Sequence, residues 1–314
     1  MGKKSLSKKF LESNFVKIIR RKSKKIILPG FDGVPIFDVM IFFYKGINNG
    51  RLTERGSAIA FNFFLALFPA LLFFFTLVPY LPFEQLQVDL MALVSESLPH
   101  AVFSFVEDSL DTILNQSHGG LLSLGFALAL IFASNGFKGL ISGFDSSYHN
   151  KQVHNFWYMQ YMSIFMVIVF SIIAIITIVL MISYKFVLGY LVQIGIINSD
   201  WTYFLIASAN WLITILMVFF MISFTYYLGS PKGESFKLIS AGSSLATFLY
   251  IISFQGFDFY INNFSRYNIL YGSIGTIIII LLWIYLVSLI LLIGYELNIS
   301  IRKAKKSGRD ILED

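Results

Sequence analysis
The chain has 314 residues, 56% hydrophobic and only 13% charged, where a soluble protein carries about 25% charged residues. It has no cysteine, which excludes disulfides, zinc–thiolate centres, iron–sulfur clusters and thiol nucleophiles and leaves the redox compartment open. The formal net charge of +6 is spread unevenly, and that unevenness carries more information than the sum.

Residues 5–25 are basic and amphipathic and lack an apolar core followed by a small-residue cleavage site, so no cleavable signal peptide is expected. Gly30, Gly33 and Pro35 then interrupt the chain. Residues 36–47 place Ile36, Met40, Phe43, Tyr44 and Ile47 on one helical face, with Asn48, Asn49 and Gly50 as a stop. This predicts a cytoplasmic interfacial helix ahead of the first span.

Apolar stretches follow at about 58–80, 120–137, 156–184, 201–228, 238–257 and 274–295. Roughly 20 apolar residues at 1.5 Å per residue cross a hydrocarbon core of about 30 Å. The last stretch is the clearest, with no charged side chain between Ser273 and Tyr295. The predicted fold is all-α: a polytopic membrane helix bundle of six transmembrane helices, with amphipathic helices at the N-terminus and in the first outer loop. Three regions are expected: a basic arm with the interfacial helix (1–52), the six-span domain (53–300) and a charged cytoplasmic tail (301–314).

With the N-terminus placed inside, 22 of the 24 Lys and Arg fall on the cytoplasmic side, and only Lys185 and Arg266 remain outside. This positive-inside bias predicts an even number of spans and two cytoplasmic termini. The basic tails are expected to meet anionic lipid headgroups rather than nucleic acid. The loop at 83–118 is the opposite, with Glu84, Asp89, Glu96, Glu107, Asp108 and Asp111 and no Lys or Arg. Helical spacing of its apolar residues on either side of Pro99 predicts two outer amphipathic helices, capping the bundle or lying along the interface, with a packed lid favoured over a partner-binding arm.

None of the six spans has an ionisable side chain at its centre. Such residues usually mark proton relays and ion paths, so simple ion-coupled antiport is disfavoured. Neutral amides do enter the spans at Asn62, Asn135, Asn210 and Gln255, and Asp258 lies one turn beyond Gln255 near the outer interface. A buried amide in lipid needs a hydrogen-bond partner, and pairing between helices is the expected use. Pro69 should kink the first span. Small residues at helical spacing, Ala58, Asn62, Ala66 and Ala70 on span one and Gly125, Ala129 and Ala133 on span two, predict close helix contacts. Glu296, at the inner end of the last span, reads first as a hydrated boundary carboxylate that orients the helix; pairing with Lys138 or Arg55, acceptance from backbone amides, and a catalytic or gating role are the alternatives. No metal or catalytic site is expected. His149 and His154, on a short inner loop with Asp145, read as solvated histidines, and there is no Gly-rich phosphate loop.

Three motifs resemble the YihY/BrkB family of bacterial inner-membrane proteins, once called ribonuclease BN. The first runs Tyr271, Gly272, Ser273, Gly275, Leu282, Trp283 and Tyr285 and closes on Gly294, Glu296, Leu297 and Asn298, with Tyr295 where the family usually has alanine. The second is Ala133–Ser134–Asn135–Gly136–Phe137 leading into Phe144 and Asp145; the third is Leu228–Gly229–Ser230–Pro231 followed by Ala241 and Gly242. The resemblance covers roughly residues 36–300 and implies six spans with both ends inside. It does not deliver a mechanism, since the family's members are variously treated as transporters or as uncharacterised.

Two functions are expected to compete. One is a transporter or flippase, without a cofactor of its own, for an uncharged, zwitterionic or lipid-like solute. The other is a non-transporting scaffold for an envelope or cytoplasmic partner. A nuclease is disfavoured, because the four histidines form no metal-ligating pattern. A multi-pass place in the bacterial inner membrane follows, with the lipid bilayer as the main partner and a homo-oligomer compatible with it.

Overall fold
The structure, a computed structural model, describes residues 27–80, 91, 119–148, 154–195, 199–230, 239–263 and 273–313. Seven α-helices make it up among these residues: α1 (Ile36–Asn49), α2 (Leu52–Leu77), α3 (Gly119–Asp145), α4 (Phe156–Gln193), α5 (Ser199–Leu228), α6 (Ala241–Asn263) and α7 (Ser273–Glu313). A short 3₁₀ turn, Val78–Tyr80, follows α2. The all-α reading therefore holds. The expected lid helices of 83–118 and the basic segment 5–25 lie outside the described residues.

Five helices carry a stretch long and apolar enough to cross a membrane: Leu52–Leu77, Gly119–Asp145, Phe156–Thr177, Trp211–Leu228 and Ile277–Ser307. The predicted fifth span is also a helix, α6, but its side chains are described only in part, and it is not counted among the five. Its hydroxyls are spent on its own backbone: Thr247 Oγ1 donates to Ser243 O at 2.9 Å and Ser244 Oγ to Ser240 O at 3.2 Å. Such side chains lower the hydropathy of a helix without requiring water around it. Pro69 sits inside α2, which continues past it to Leu77.

The six long helices alternate in direction, which the contacts at one end of the bundle make plain. There the start of α2 meets the end of α3 through Arg55 and Gly143, and the end of α3 meets the segment just before α4 through Asp145 and His154. His154 also approaches the carbonyl of Ser230, just beyond α5, and Gly242 at the start of α6 meets Asn298 of α7. All six helices therefore have an end, or for α7 a late turn, on this face.

The main core lies toward the same face. Ile59, Phe137, Leu140, Ile141, Phe144, Met166, Ile222, Tyr226, Leu292 and Tyr295 pack together, with the Phe144 ring stacked on Tyr295 at 3.9 Å. Glycines of α3 let α2 come close. A Cβ on Gly136 would meet the Phe63 ring at 2.8 Å, and one on Gly143 would meet Ile59 Cδ1 at 2.8 Å. Of the small residues expected on α2, Ala66 is buried whereas Ala58 and Ala70 are exposed. The glycines of α3, rather than the alanines of α2, make the closest approach. Elsewhere the bundle shows lipid-type side chains to its surroundings, including Phe165, Ile168, Ile172 and Ile175 on α4.

A second core joins the N-terminal segment to the far end of α7. Phe31, Val34 and Val39 pack on Leu297, Ile301 and Ala304, and Asp32 pairs with Lys305 at 3.4 Å. Residues 301–313 are thus a continuation of α7, which is 41 residues long and so about 61 Å. Helix α1 buries Val39 and Gly46 and leaves Met40, Tyr44 and Ile47 of its predicted apolar face exposed.

Candidate functional site
The polar residues gathered at this end form the candidate site. Glu296 of α7 is fully buried (0% exposed), not the hydrated boundary carboxylate expected from sequence. Ser147 donates to its Oε2 at 2.8 Å, and Arg55 Nη1 lies 3.9 Å from the same oxygen. Gly46 of α1 is pressed so closely on this carboxylate that a Cβ there would overlap it. Of the two basic neighbours expected, Arg55 is the partner, while Lys138 reaches Asn135 Oδ1 of its own helix at 3.3 Å.

Arg55 is itself buried, and its position follows from its sequence neighbours. It sits one turn into α2, just past the two-residue joint of Gly50 and Arg51, where Arg51 takes a left-handed φ of 48°. The side chain then turns inward, with Nε donating to Gly143 O at 2.8 Å and Nη1 to Gly50 O at 2.9 Å. The last-turn carbonyl of α3 would otherwise lack a donor. One guanidinium thus ties together the α1–α2 joint, α3 and α7. A charge removed from water needs such partners, since burying it alone costs several kcal/mol.

Two further clasps flank this one. Asp145, the last residue of α3, accepts from the backbone N–H of His154 at 3.0 Å and holds its ring Nδ1 at 2.7 Å. The His154 ring stacks on Tyr158 and its Nε2 lies 3.3 Å from Ser230 O. His154 and Asp145 side chains are 3% and 5% exposed, so the solvated loop histidine expected at 154 is instead a buried link between α3, α4 and α5. His149 lies outside the described residues.

On the other flank, Asn298 Oδ1 accepts from Gly242 N at 2.8 Å and its Nδ2 donates to Ser240 Oγ at 2.9 Å. Ser240 and Ser243 cap the start of α6 reciprocally, each hydroxyl accepting from the other's N–H at 3.1 Å. Asn298 thereby satisfies one of the free donors at that helix end from a neighbouring helix. Asn298→Leu strands the Gly242 N–H and should cost about 1–3 kcal/mol; thermal unfolding of the purified protein in detergent should register it, and an unchanged unfolding temperature would contradict it. Gly242 and Gly294 bring α6 and α7 into backbone contact. Beside them, Tyr226 donates its hydroxyl to Leu291 O at 2.8 Å.

The sequence-predicted residues separate into two groups. Gly294, Glu296 and Asn298 meet here with Phe144 and Asp145 of the second motif and Gly229, Ser230 and Gly242 of the third, whereas Gly136 and Phe137 lie further along α3 against Phe63. Gly275 is buried near the start of α7, and Ser273 opens that helix, whereas Tyr271 and Gly272 lie outside the described residues. Among the described side chains, the intramembrane amides show no hydrogen bond between helices. Asn62 Nδ2 donates to Ala58 O of its own helix at 2.9 Å, Asn135 serves Lys138, and Gln255 is exposed. The side chains of Asn210 and Asp258 are not among those described. Sequence reading passed over Gly46, Ser147 and Tyr226, and took His154 for a loop residue. A faint signal was available for Arg55, as a cation at the start of an apolar span. Among the described residues no three His, Asp or Glu come together as a metal site.

Trp283 belongs to a different place. It packs on Tyr250 at 5.6 Å, Phe254 at 5.9 Å and Phe257 at 4.9 Å. Tyr250 and Phe254 also line a cavity of about 300 Å³ between α5 and α6, with Trp211, Thr214, Ile215 and Val218 opposite. That is at the small end of the range for ligand sites, about 300–1,000 Å³. Trp211 and Phe254 are about half exposed, so this cavity opens at the side of the bundle.

No solved structure matches the chain. Among named proteins, it is 31% identical over 253 residues to a Bacillus subtilis (strain 168) protein named as ribonuclease-like, YfkH, covering 81% of this chain and 91% of that one. It is 23% identical over 271 residues to the UPF0761 membrane protein NTHI0384 of Haemophilus influenzae (strain 86-028NP), covering 82% of this chain and 92% of that one. A UPF0761 membrane protein of Vibrio campbellii (strain ATCC BAA-1116) is 32% identical over 102 residues, 32% of each chain. The family described as virulence factor BrkB matches residues 43–313, a span that takes in α2 to α7 and every clasp residue described above, and the chain belongs to that family.

Proposed function
We propose that this membrane protein is a transporter or flippase for an uncharged, zwitterionic or lipid-like solute in the bacterial cytoplasmic membrane. The observation that carries the reading is the side-opening cavity between α5 and α6. In this reading it lies at membrane depth, and it is walled by aromatic and aliphatic side chains with a few hydroxyls. An apolar pocket of this kind suits a cargo that can leave water or enter from lipid, and no ionised side chain occupies the centre of the spans that flank it.

In this reading the clasped end faces the cytoplasm. The support is the charge pattern, with Lys and Arg concentrated in the segments that adjoin that end. The Arg55–Glu296 node then seals the bundle on the inner side while the cavity stays reachable from the bilayer.

Reconstitution into vesicles carrying a fluorescent phospholipid analogue tests the proposal. Protein-dependent exposure of inner-leaflet label to a membrane-impermeant quencher is the expected result. Rates equal to protein-free vesicles across phospholipids and small zwitterions would overturn it. For orientation, an epitope at either end should resist protease in intact spheroplasts; cleavage there would overturn the assignment of sides.

A further inference from the structure
The cavity between α5 and α6 does not end at its mouth. A second one, of about 170 Å³, adjoins it further along α5 and is lined by Phe170, Met221, Ile222, Thr225, Ile290 and Leu291 among others. Val218 and Tyr250 line both. Together the two run along α5 from Trp211 to Thr225, roughly 21 Å at 1.5 Å per residue. At one end the walls are open to the surroundings; at the other, Ile222 and Ile290 are only 5% and 4% exposed.

We propose that this slot is a binding site for one acyl chain of a membrane phospholipid, which enters sideways between α5 and α6 past Trp211 and Phe254. Three observations lead there. The slot is long and mostly apolar, more so in its second cavity, so a run of methylenes suits it. Its length exceeds the ~15 Å half-thickness of a hydrocarbon core, the reach of one lipid tail. Its mouth is continuous with the lipid-facing surface, because Trp211, Leu212 and Phe254 are all about half exposed on a helix pair that includes the candidate span Trp211–Leu228. The free occupant of such a face is a lipid tail. Entry therefore costs no dehydration, only ordering of the chain, and is favoured by the contacts made inside.

Trp283 gains a role from this geometry. Its ring backs Tyr250 and Phe254 and so positions two of the residues that flank the entrance. Tyr250, shared by both cavities, stands at the junction.

The assignment names the cargo class of the transport reading and is tested separately from it. Vesicles containing the full-length protein and a phospholipid with a photoactivatable diazirine in mid-tail are irradiated, and labelled residues are mapped by mass spectrometry. The expected result is labelling of Ile222, Ile290 and Val218, which ring lipid alone does not reach, at least fivefold above that of the lipid-facing Ile172 and Ile175 after correction for exposure. Val218→Trp, which plugs the junction, should abolish the labelling of Ile222 and Ile290 and leave that of Trp211. Ile215→Trp, nearer the mouth, provides a second block if the first variant does not fold. Labelling confined to outward-facing residues would overturn the proposal. So would equal labelling of the interior by a free diazirine fatty acid at the same mole fraction, which would assign the slot to a different ligand. Interior labelling without lipid movement leaves the site standing and removes lipid as the transported cargo; movement without interior labelling does the reverse.

Discussion

Arg55→Ala should be among the most damaging single substitutions in this protein. It leaves the Glu296 carboxylate buried without its cation and strips the carbonyls of Gly143 and Gly50 of their donor. Breaking a buried pair from one side costs about 3–5 kcal/mol, and this pair also holds the α1–α2 joint, α3 and α7 together. Arg55→Lys should fail almost as badly, because an ammonium cannot serve Gly143, Gly50 and Glu296 with the spacing of a guanidinium. The informative variant is the double change Arg55→Met with Glu296→Gln. It removes both charges and still offers Ser147 an acceptor, so it should recover at least half of the lost stability. Thermal unfolding in detergent, or yield of folded protein in membranes, measures all of these. A parent-like Arg55→Ala, or a double variant worse than the sum of its singles, would show that the pair does not hold this end.

Gly294→Ala should be as severe as many changes of far larger side chains. A Cβ there would meet Gly242 O at 2.6 Å and Ala246 Cβ at 2.8 Å, and would overlap the Tyr226 hydroxyl. Two of those obstacles belong to the neighbouring helix and cannot swing aside, so α6 must move away from α7. Overpacking costs about 1–3 kcal/mol. Separating the helices also endangers the Asn298–Gly242 and Tyr226–Leu291 hydrogen bonds, each worth about 1 kcal/mol. The comparison that isolates the effect is on α6 itself. Gly256 has nothing within 4 Å of the position a Cβ would take, and Gly256→Ala should be neutral or stabilising by up to about 1 kcal/mol from helix propensity. Comparable losses from the two alanines would contradict the close crossing.

Several elements were legible in the chain for plain physical reasons. Backbone polar groups cannot be left unpaired in hydrocarbon, so an apolar run of some 20 residues has little choice but to be helical. That is why α2, α3, α4, α5 and α7 lie where the apolar stretches are. Their ends are less legible. Helix α4 runs to Gln193 and α7 to Glu313, well past the apolar stretches, because helical hydrogen bonds continue wherever no residue breaks them. Helix α6 lies at the predicted fifth apolar stretch, and part of its polarity comes from the hydroxyls of Ser243, Ser244 and Thr247. Those hydroxyls bond to the preceding turn, a use that hydropathy does not distinguish from exposure to water.

The site was legible as residues but not as a place. Glu296, Asn298 and Gly294 drew attention as one motif, and Asp145, Ser230 and Gly242 as parts of two others. A carboxylate at a span end ordinarily reaches water, and nothing local to Glu296 says otherwise. What buries it comes from Gly46, Arg55 and Ser147, which lie 250, 241 and 149 positions away in the chain. His154 is the same case, since only the folded ends of α3 and α5 close over it.

By itself, then, the order of residues determined the helical class, the apolar segments and the lopsided distribution of Lys and Arg, because each of these depends on short stretches meeting a solvent of one kind. Which polar groups lose that solvent, and which cavity walls face each other across α5 and α6, was decided only by the tertiary structure. Burial and close packing are properties of surfaces brought together from distant parts of the chain, and a single glycine or arginine at such a crossing acts through neighbours that its own segment does not contain.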